Sequence, residues 1–498
     1  MQLKDFSHGY RTNNITTQSL QAGKNIELKN TPYGRNIYRA NGNTLITQIE
    51  YEKIIGGFDY EKGDNHYELI FTNTGTESKA YLFNNETLTL LKSGMSKDAK
   101  HFNAVNFING AFISNGIDAP FFYEYGATPA VKDIVCTSYT GDLIRGLALK
   151  VFDNRIFMGS GSGLYSCGLG DPTDWSSADV ETTRAGYIKN FQNASSTIVA
   201  LETYNSKLII HRTTDTVLLS GTSGSYTMDV VSNVGCASPF ALANLDVYQI
   251  YFLKHINGVG LYYLSTNELG TIKAESEISL YIHEEFTNID NTRLDEIYCI
   301  ANTKKNELWI HIPRTDYPSN SYWLIYNLTT KCFYPPRITQ PITSTWLYNG
   351  LIHIGTSAGE ILREDYGDTF NGSVIPFSAD TCTMDFGSLF KKEFNEQFRY
   401  ILDGTKQNDF VISYIKNDDE STIVNKEVVA VPSGCLIWAP DEFVTDSKYM
   451  WDLNNWAGNT PLTNKCGKAS SFYTLKVRFS GTGDLGLLNF EITNPTLA

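Results

Sequence analysis

The sequence predicts an all-β protein organised as a β-propeller of about seven blades. Aromatic residues make up 13% of the 498 residues, with 30 Tyr and 27 Phe, and Asn-, Gly-, Thr- and Ser-rich turns recur along the chain. Aromatic and β-branched side chains suit a pleated, half-buried surface. A second observation is a hairpin that recurs seven times, marked by Asn65, Asn109-Gly110, Asn154-Arg155, Asn205-Ser206, Asn257-Gly258, Asn306-Glu307 and Asn349-Gly350. The gaps between these asparagines are 44, 45, 51, 52, 49 and 43 residues. Asn and Gly accept the positive φ of tight hairpin turns, and repeats of about 40 to 50 residues with several strands each are the mark of propeller blades.

The elements follow in order. Residues 1–44 are polar with few apolar runs and read as an extended N-terminal arm. Residues 45–375 carry the seven units and read as the propeller. Each turn is followed by an apolar run, such as Leu208-Ile209-Ile210 or Leu308-Trp309-Ile310, and further strands such as Tyr322–Tyr326 complete the blade. Between the fifth and sixth units, Ile278, Tyr281, Ile282 and Phe286 fall at helical spacing, which predicts a short helical insertion. From residue 376 the hairpin period stops. Alternating runs such as Phe410–Ile415, Val428–Val431 and Tyr473–Phe479 predict a C-terminal β-sandwich over 376–498. Phe390, Phe394 and Phe398 fit a helix or a strand, and we read the stretch from Phe386 to Tyr400 as strand.

Composition narrows function. Met1–His8 has no apolar core of signal-peptide length, and no run approaches the 18 to 20 apolar residues of a membrane span. The expectation is a protein that is made and assembled in a cytoplasm and has no membrane partner. The formal net charge of −14 argues against general affinity for nucleic acid, which comes chiefly from cationic contacts with phosphate. The eight cysteines, at 136, 167, 236, 299, 332, 382, 435 and 466, form no CxxC pair and read as buried thiols.

Candidate chemistry is sparse. The histidines are 8, 66, 101, 211, 255, 283, 311 and 353. His211, His311 and His353 occupy equivalent strands of different units, and a metal site would require them to converge with carboxylates. They read as hydrogen-bonded structural residues. Gly159-Ser160-Gly161-Ser162-Gly163 lacks the Lys-Ser/Thr of a phosphate loop and reads as a hairpin tip. Gly170-Asp171-Pro172-Thr173-Asp174-Trp175 is similar to the Asp-box turn of sialidase propellers, with threonine at its glycine position. That box is structural, and no paired carboxylates of a glycosidase accompany it. We therefore expect no catalytic, cofactor-binding or metal-binding residues and no enzymatic activity.

The run Leu149–Gly159, then Leu164-Tyr165-Ser166, then Gly170–Trp175 resembles the blades of phage virion propellers. Leu208–Arg212 with Thr216–Gly221, and Asn306–Arg314 with Trp323–Asn327, look like further blades of that family. The resemblance covers roughly residues 140–498 and is to the tail hub, or packaged-DNA stabilisation, proteins of P22-like podoviruses, whose propeller architecture the nozzle proteins of T7-like podoviruses share. It implies a non-enzymatic virion protein of a short-tailed bacteriophage. It further implies a homohexameric ring below the portal and adaptor, extending or sealing the DNA channel, with adaptor, needle or fibre proteins as neighbours. An acidic wall would let DNA pass the lumen without gripping it. The alternative is a carbohydrate- or receptor-binding propeller, and a glycosidase ranks below that.

Overall fold

A computed structural model describes the chain except residues 1, 4–5, 7, 13–17, 32–33, 177–183, 191–195, 223–224, 247–248, 255–257, 267–271, 275–276, 388–389, 395–397, 404–407, 431–468, 493–495 and 498. The chain divides into two units. One comprises residues 43–323 and 339–366; the other comprises 1–42, 324–338 and 367–498.

The first unit is a seven-bladed β-propeller. Blade one is the antiparallel sheet Lys53–Lys62, Asn65–Asn73, Ser78–Asn84 and Thr87–Met95. Blades two to five repeat the plan, with innermost strands Asn103–Phe107, Ala148–Phe152, Ile198–Tyr204 and Leu242–Asp246. Blade six starts with Tyr298–Asn302 and Glu307–Ile312, and its third strand is the first part of Ser321–Asn327. Blade seven takes Ser344–Tyr348, Leu351–Gly355 and Glu360–Glu364 from the end of the unit and Asn43–Gln48 from its beginning. The innermost strand of each blade touches that of the next, and Ser344–Tyr348 touches Lys53–Lys62, so the ring closes. Pairing the earliest strand with the last blade leaves no open seam in the ring.

Local sequence explains the hairpins. Asp153 and Asn154, Asn205 and Ser206, and Asn349 and Gly350 all have φ between 48° and 67°, the primed turn whose twist matches paired strands. The fifth unit departs from the expected register. Its first two strands, Leu242–Asp246 and Gln249–Leu253, pair with each other ahead of Asn257-Gly258, and Gly258 lies in the next connection; 247–248 and Asn257 are outside the described residues. Asn-Gly marks a tight turn without saying which turn of the blade it is.

Apolar cores fill the gaps between blades. Phe112, Ile156, Met158 and Trp175 pack between blades two and three, and Ile54, Ile70, Trp346 and Ile361 pack between blades seven and one. The insertion before blade six is a 3-10 segment, Leu280–Phe286, broken by non-helical backbone at Ile282. Ile282 and Phe286 are buried, whereas Tyr281 is 44% exposed. Arg314 pins the segment through the carbonyl and carboxylate of Glu285, at 2.9 and 2.5 Å. Among the described residues no helix is long and apolar enough to cross a membrane.

The second unit holds two main sheets. In one, Gly9–Tyr10, Ser19–Lys24, Phe377–Thr381, Leu475–Gly481, Asn408–Lys416 and Asp419–Ala430 lie side by side. In the other, Gly486–Ile492 pairs with Gln2–Leu3, Gly34–Arg39 and Phe398–Leu402, and Ile26–Thr31 extends the sheet. Leu475, Val477 and Phe479 are fully buried, alternating with Lys476 and Arg478. Phe479 meets Phe490 of the other sheet edge to face at 5.1 Å, as facing layers of a sandwich do.

Two boundaries therefore differ from expectation. Residues 1–44 are not an extended arm. Ser19–Lys24 pairs with Phe377–Thr381, and Gly34–Arg39 pairs with Gly486 and Leu487. Strands covered on one face need few apolar residues, and Leu20, Ile26, Leu28 and Ile37 suffice, all at most 4% exposed. The sandwich also recruits 324–338 and begins at 367, ahead of the expected 376. The stretch from Phe386 to Tyr400 is strand only in part, over Lys392–Phe394 and from Phe398 on; Phe386-Gly387 is a turn, and 388–389 and 395–397 lie outside the described residues.

Candidate functional site: the axial cavity and its mouth

The inner strands of six blades enclose an axial cavity of about 400 Å³, reached by Val105, Leu149, Leu201, Ala243, Ile300 and Leu347. Its charged groups are paired. Lys150 of blade three meets Glu202 of blade four at 2.5 Å, and Glu202 is 8% exposed.

Polar side chains latch every seam of the ring. Tyr60 donates its hydroxyl to the Asn109 carbonyl (2.5 Å), joining blade one to two. Asn103 reaches the Leu147 carbonyl (2.7 Å), and Tyr226 reaches Asp153 (2.7 Å). Asn244 donates to the Thr203 carbonyl (3.1 Å), Ser238 to that of Ile297 (2.8 Å) and Tyr298 to that of Thr343 (3.0 Å). At the closing seam the Trp346 indole N–H donates to Glu68 (2.8 Å). A Cβ on Gly57 would lie 2.2 Å from that indole, so only glycine admits Trp346 there. Backbone carbonyls at blade edges need partners when buried, and five of these side chains supply them, while Tyr226 and Trp346 donate to carboxylates.

At the entry ends of the inner strands lies a second cavity of about 460 Å³, lined by Asp98, Lys100, His101, Arg145 and Asp295 among apolar walls that include Ile117 and Ile198. His101 is 7% exposed; its Nδ1 lies 3.2 Å from the Tyr298 hydroxyl and its Nε2 3.7 Å from Asp295. Lys100 pairs with the same carboxylate at 2.9 Å. His101, then Lys100, hold Asp295 well below the usual carboxylate range, and burial raises the Tyr298 phenol. The Tyr298 hydroxyl donates to the Thr343 carbonyl and His101 Nε2 lies beyond hydrogen-bond distance of Asp295, so these side chains line the cavity with polar groups without forming a continuous proton relay.

The structure separates the histidines singled out from the sequence. His211, His311 and His353 lie on the second strands of blades four, six and seven, all at most 4% exposed, and do not converge. His211 Nδ1 lies 3.0 Å from Thr216 Oγ1, with its ring 4.7 Å from that of Phe252. His311 Nδ1 lies 2.8 Å from the Glu296 carbonyl, and His353 Nδ1 lies 2.6 Å from Glu68. Burial pushes His211 down to about 3 and His311 to about 4. His255 lies outside the described residues. His66, on the hairpin that opens blade one, stands beside two carboxylates, Asp59 and Glu61.

The remaining motifs are structural. Gly161, at φ 58°, turns the hairpin between Arg155–Ser160 and Gly163–Ser166. In the Asp-box-like turn Asp171 accepts from the Thr173 backbone N–H (2.9 Å) and hydroxyl (2.7 Å). Trp175 donates its indole N–H to the Pro172 carbonyl (2.8 Å) and is 2% exposed. Cys136, Cys167, Cys236, Cys299, Cys332 and Cys382 are buried free thiols, and Cys435 and Cys466 lie outside the described residues.

No family model matches the chain, and no curated protein does. Among solved structures it is similar to the computationally designed Ika8 protein, at 10% identity and TM-score 0.38, over 65% of this chain and 99% of that one. The extracellular domain of a putative hybrid two-component system from B. thetaiotaomicron matches at 11% identity and TM-score 0.40, over 65% of this chain and 39% of its own. BamB from Moraxella catarrhalis matches at 10% identity and TM-score 0.36, over 69% and 96%.

Proposed function

We propose that this chain is a non-enzymatic assembly propeller, and more finely a ring-forming hub or nozzle protein of a short-tailed bacteriophage tail. The observation that carries the reading is the run Leu149–Trp175. Its strand, turn, strand and Gly-Asp-Pro-x-x-Trp order resembles a virion propeller blade, and these residues form the inner three strands and the following turn of blade three. Two further features support it. Polar groups are spent on latching seams, as a scaffold under mechanical load requires. The net charge of −14 and the paired Lys150 and Glu202 suit a body that does not grip DNA.

The test is the mass of the purified chain, alone and mixed with the adaptor–portal assembly of a short-tailed phage, with negative-stain images alongside. The reading expects a closed ring of about six copies, formed alone or on the adaptor. A persistent monomer that ignores the adaptor and binds glycans would overturn it in favour of a carbohydrate-binding propeller.

A further inference from the structure

On the hairpin that opens blade one, Glu61 pairs directly with His66, and Asp59 with Glu68. Directly opposed residues of an antiparallel pair share a face, as do residues two apart on a strand. Four ionisable side chains therefore form one ladder, facing the seam with blade seven. It runs from exposed Glu61 and half-buried His66 and Asp59 inward to Glu68, which is fully buried.

The ladder is well supported and electrostatically incomplete. The Asn349 backbone N–H of blade seven fixes the Asp59 carboxylate (2.8 Å), and Asn106 of blade two holds the Asp59 carbonyl (3.0 Å). His66 Nδ1 lies 2.9 and 3.0 Å from the two Asp59 oxygens, and Tyr348 holds the His66 carbonyl (3.3 Å). Lys62 of the same hairpin points its ammonium to Glu124 instead (3.2 Å). Deeper in, Glu68 Oε1 serves Trp346 and His353, but its buried Oε2 has no hydrogen-bond partner. Asp59, Glu61 and Glu68 thus set three carboxylates on one face, one of them with a buried oxygen that lacks a hydrogen-bond partner, beside the imidazoles of His66 and His353.

We propose that Asp59, Glu61 and His66 bind a divalent transition-metal ion at the seam where the propeller closes. One ligand atom from each lies within 4.8 Å of the others. Donors about 2.1 Å from a tetrahedral zinc ion sit about 3.4 Å apart, so small side-chain movements complete the set. Two carboxylates and an imidazole are the donor mix that suits zinc or manganese. Asn349 and Asn106 supply the outer hydrogen bonds that orient a ligating carboxylate and its strand. An ion there offsets the repulsion of the ladder and cross-links the two strands of the blade-one hairpin, Lys53–Lys62 and Asn65–Asn73. The proposal stands independently of the tail reading.

The experiment is zinc titration of the purified chain against a chromogenic chelator, with melting curves in parallel. Asp59→Asn, His66→Gln and Glu61→Gln are compared with the parent. The expected result is one ion per chain, a higher melting temperature with zinc, and at least tenfold weaker binding in each variant. Glu61 is exposed, so Glu61→Gln leaves the fold intact and must weaken binding as well. Failure of the parent to bind zinc, or parent-like binding by Glu61→Gln and His66→Gln, overturns the proposal.

Discussion

His353 of blade seven and Glu68 of blade one meet at 2.6 Å, both almost wholly buried, across the seam that closes the ring. The same Glu68 oxygen accepts the indole N–H of Trp346, so one carboxylate satisfies two donors from blade seven. Removing it strands both. Glu68→Ala is expected to cost about 2–6 kcal/mol, since two buried donors lose their acceptor at about 1–3 kcal/mol each. Glu68→Gln, which keeps an acceptor, is expected to cost less. Urea midpoints at neutral pH measure both, and an alanine variant as stable as the parent would show that the seam does not depend on this contact.

Acid should loosen the propeller through two buried imidazoles. Burial depresses His211 to about 3 and His311 to about 4 in the folded chain, whereas an unfolded histidine titrates near 6.5. Between these values the unfolded chain binds more protons, so stability falls as pH drops from about 6.5 toward 4. His66 acts oppositely: Asp59 raises its affinity for the proton, so its contribution is complete at acid pH and is lost as pH rises through the raised value. Denaturant midpoints at pH 7 and 4.5 for the parent and His211→Gln check this. The variant should lose less stability over that interval, and an equal loss would rule out His211 as a sensor.

The propeller was legible because its signals are local. Asn154 and Asn349 need positive φ in a hairpin whatever lies around them, so the repeat shows in the sequence. Asn257-Gly258 misled because the same dipeptide suits any tight turn. The N-terminal strands were illegible because their partners, such as Phe377–Thr381 for Ser19–Lys24, lie at the far end of the chain. The mouth is hidden for the same reason, with His101 and Tyr298 separated by 197 residues. Asp59, Glu61 and His66 sit on one hairpin, and period-two spacing across a Gly63-Asp64 turn would have brought them together.

The thiols should be silent in the native protein. Burial pushes Cys136, Cys167 and Cys236 up to about 12, and the thiolate is the reactive form. A maleimide or disulfide reagent at pH 8, followed by peptide mapping, should label none of the three until denaturant is added. Native labelling at the rate of the unfolded chain would show that these blades open readily.

Trp175 and Asp171 divide the work of the Asp-box-like turn between the core and the surface. Its ring packs 5.7 Å from Phe112 in the core between blades two and three, while Asp171 closes an exposed turn two residues long through Thr173. If the motif anchors a blade, loss of the indole should outweigh loss of the carboxylate. Trp175→Ala should cost about 3–5 kcal/mol, the range for emptying a large aromatic site. Asp171→Ala removes hydrogen bonds in a solvated turn and should cost about 1 kcal/mol. Urea denaturation of the two variants gives the ratio directly. Equal costs would mean that the turn, and not the core beneath it, holds blade three to blade two.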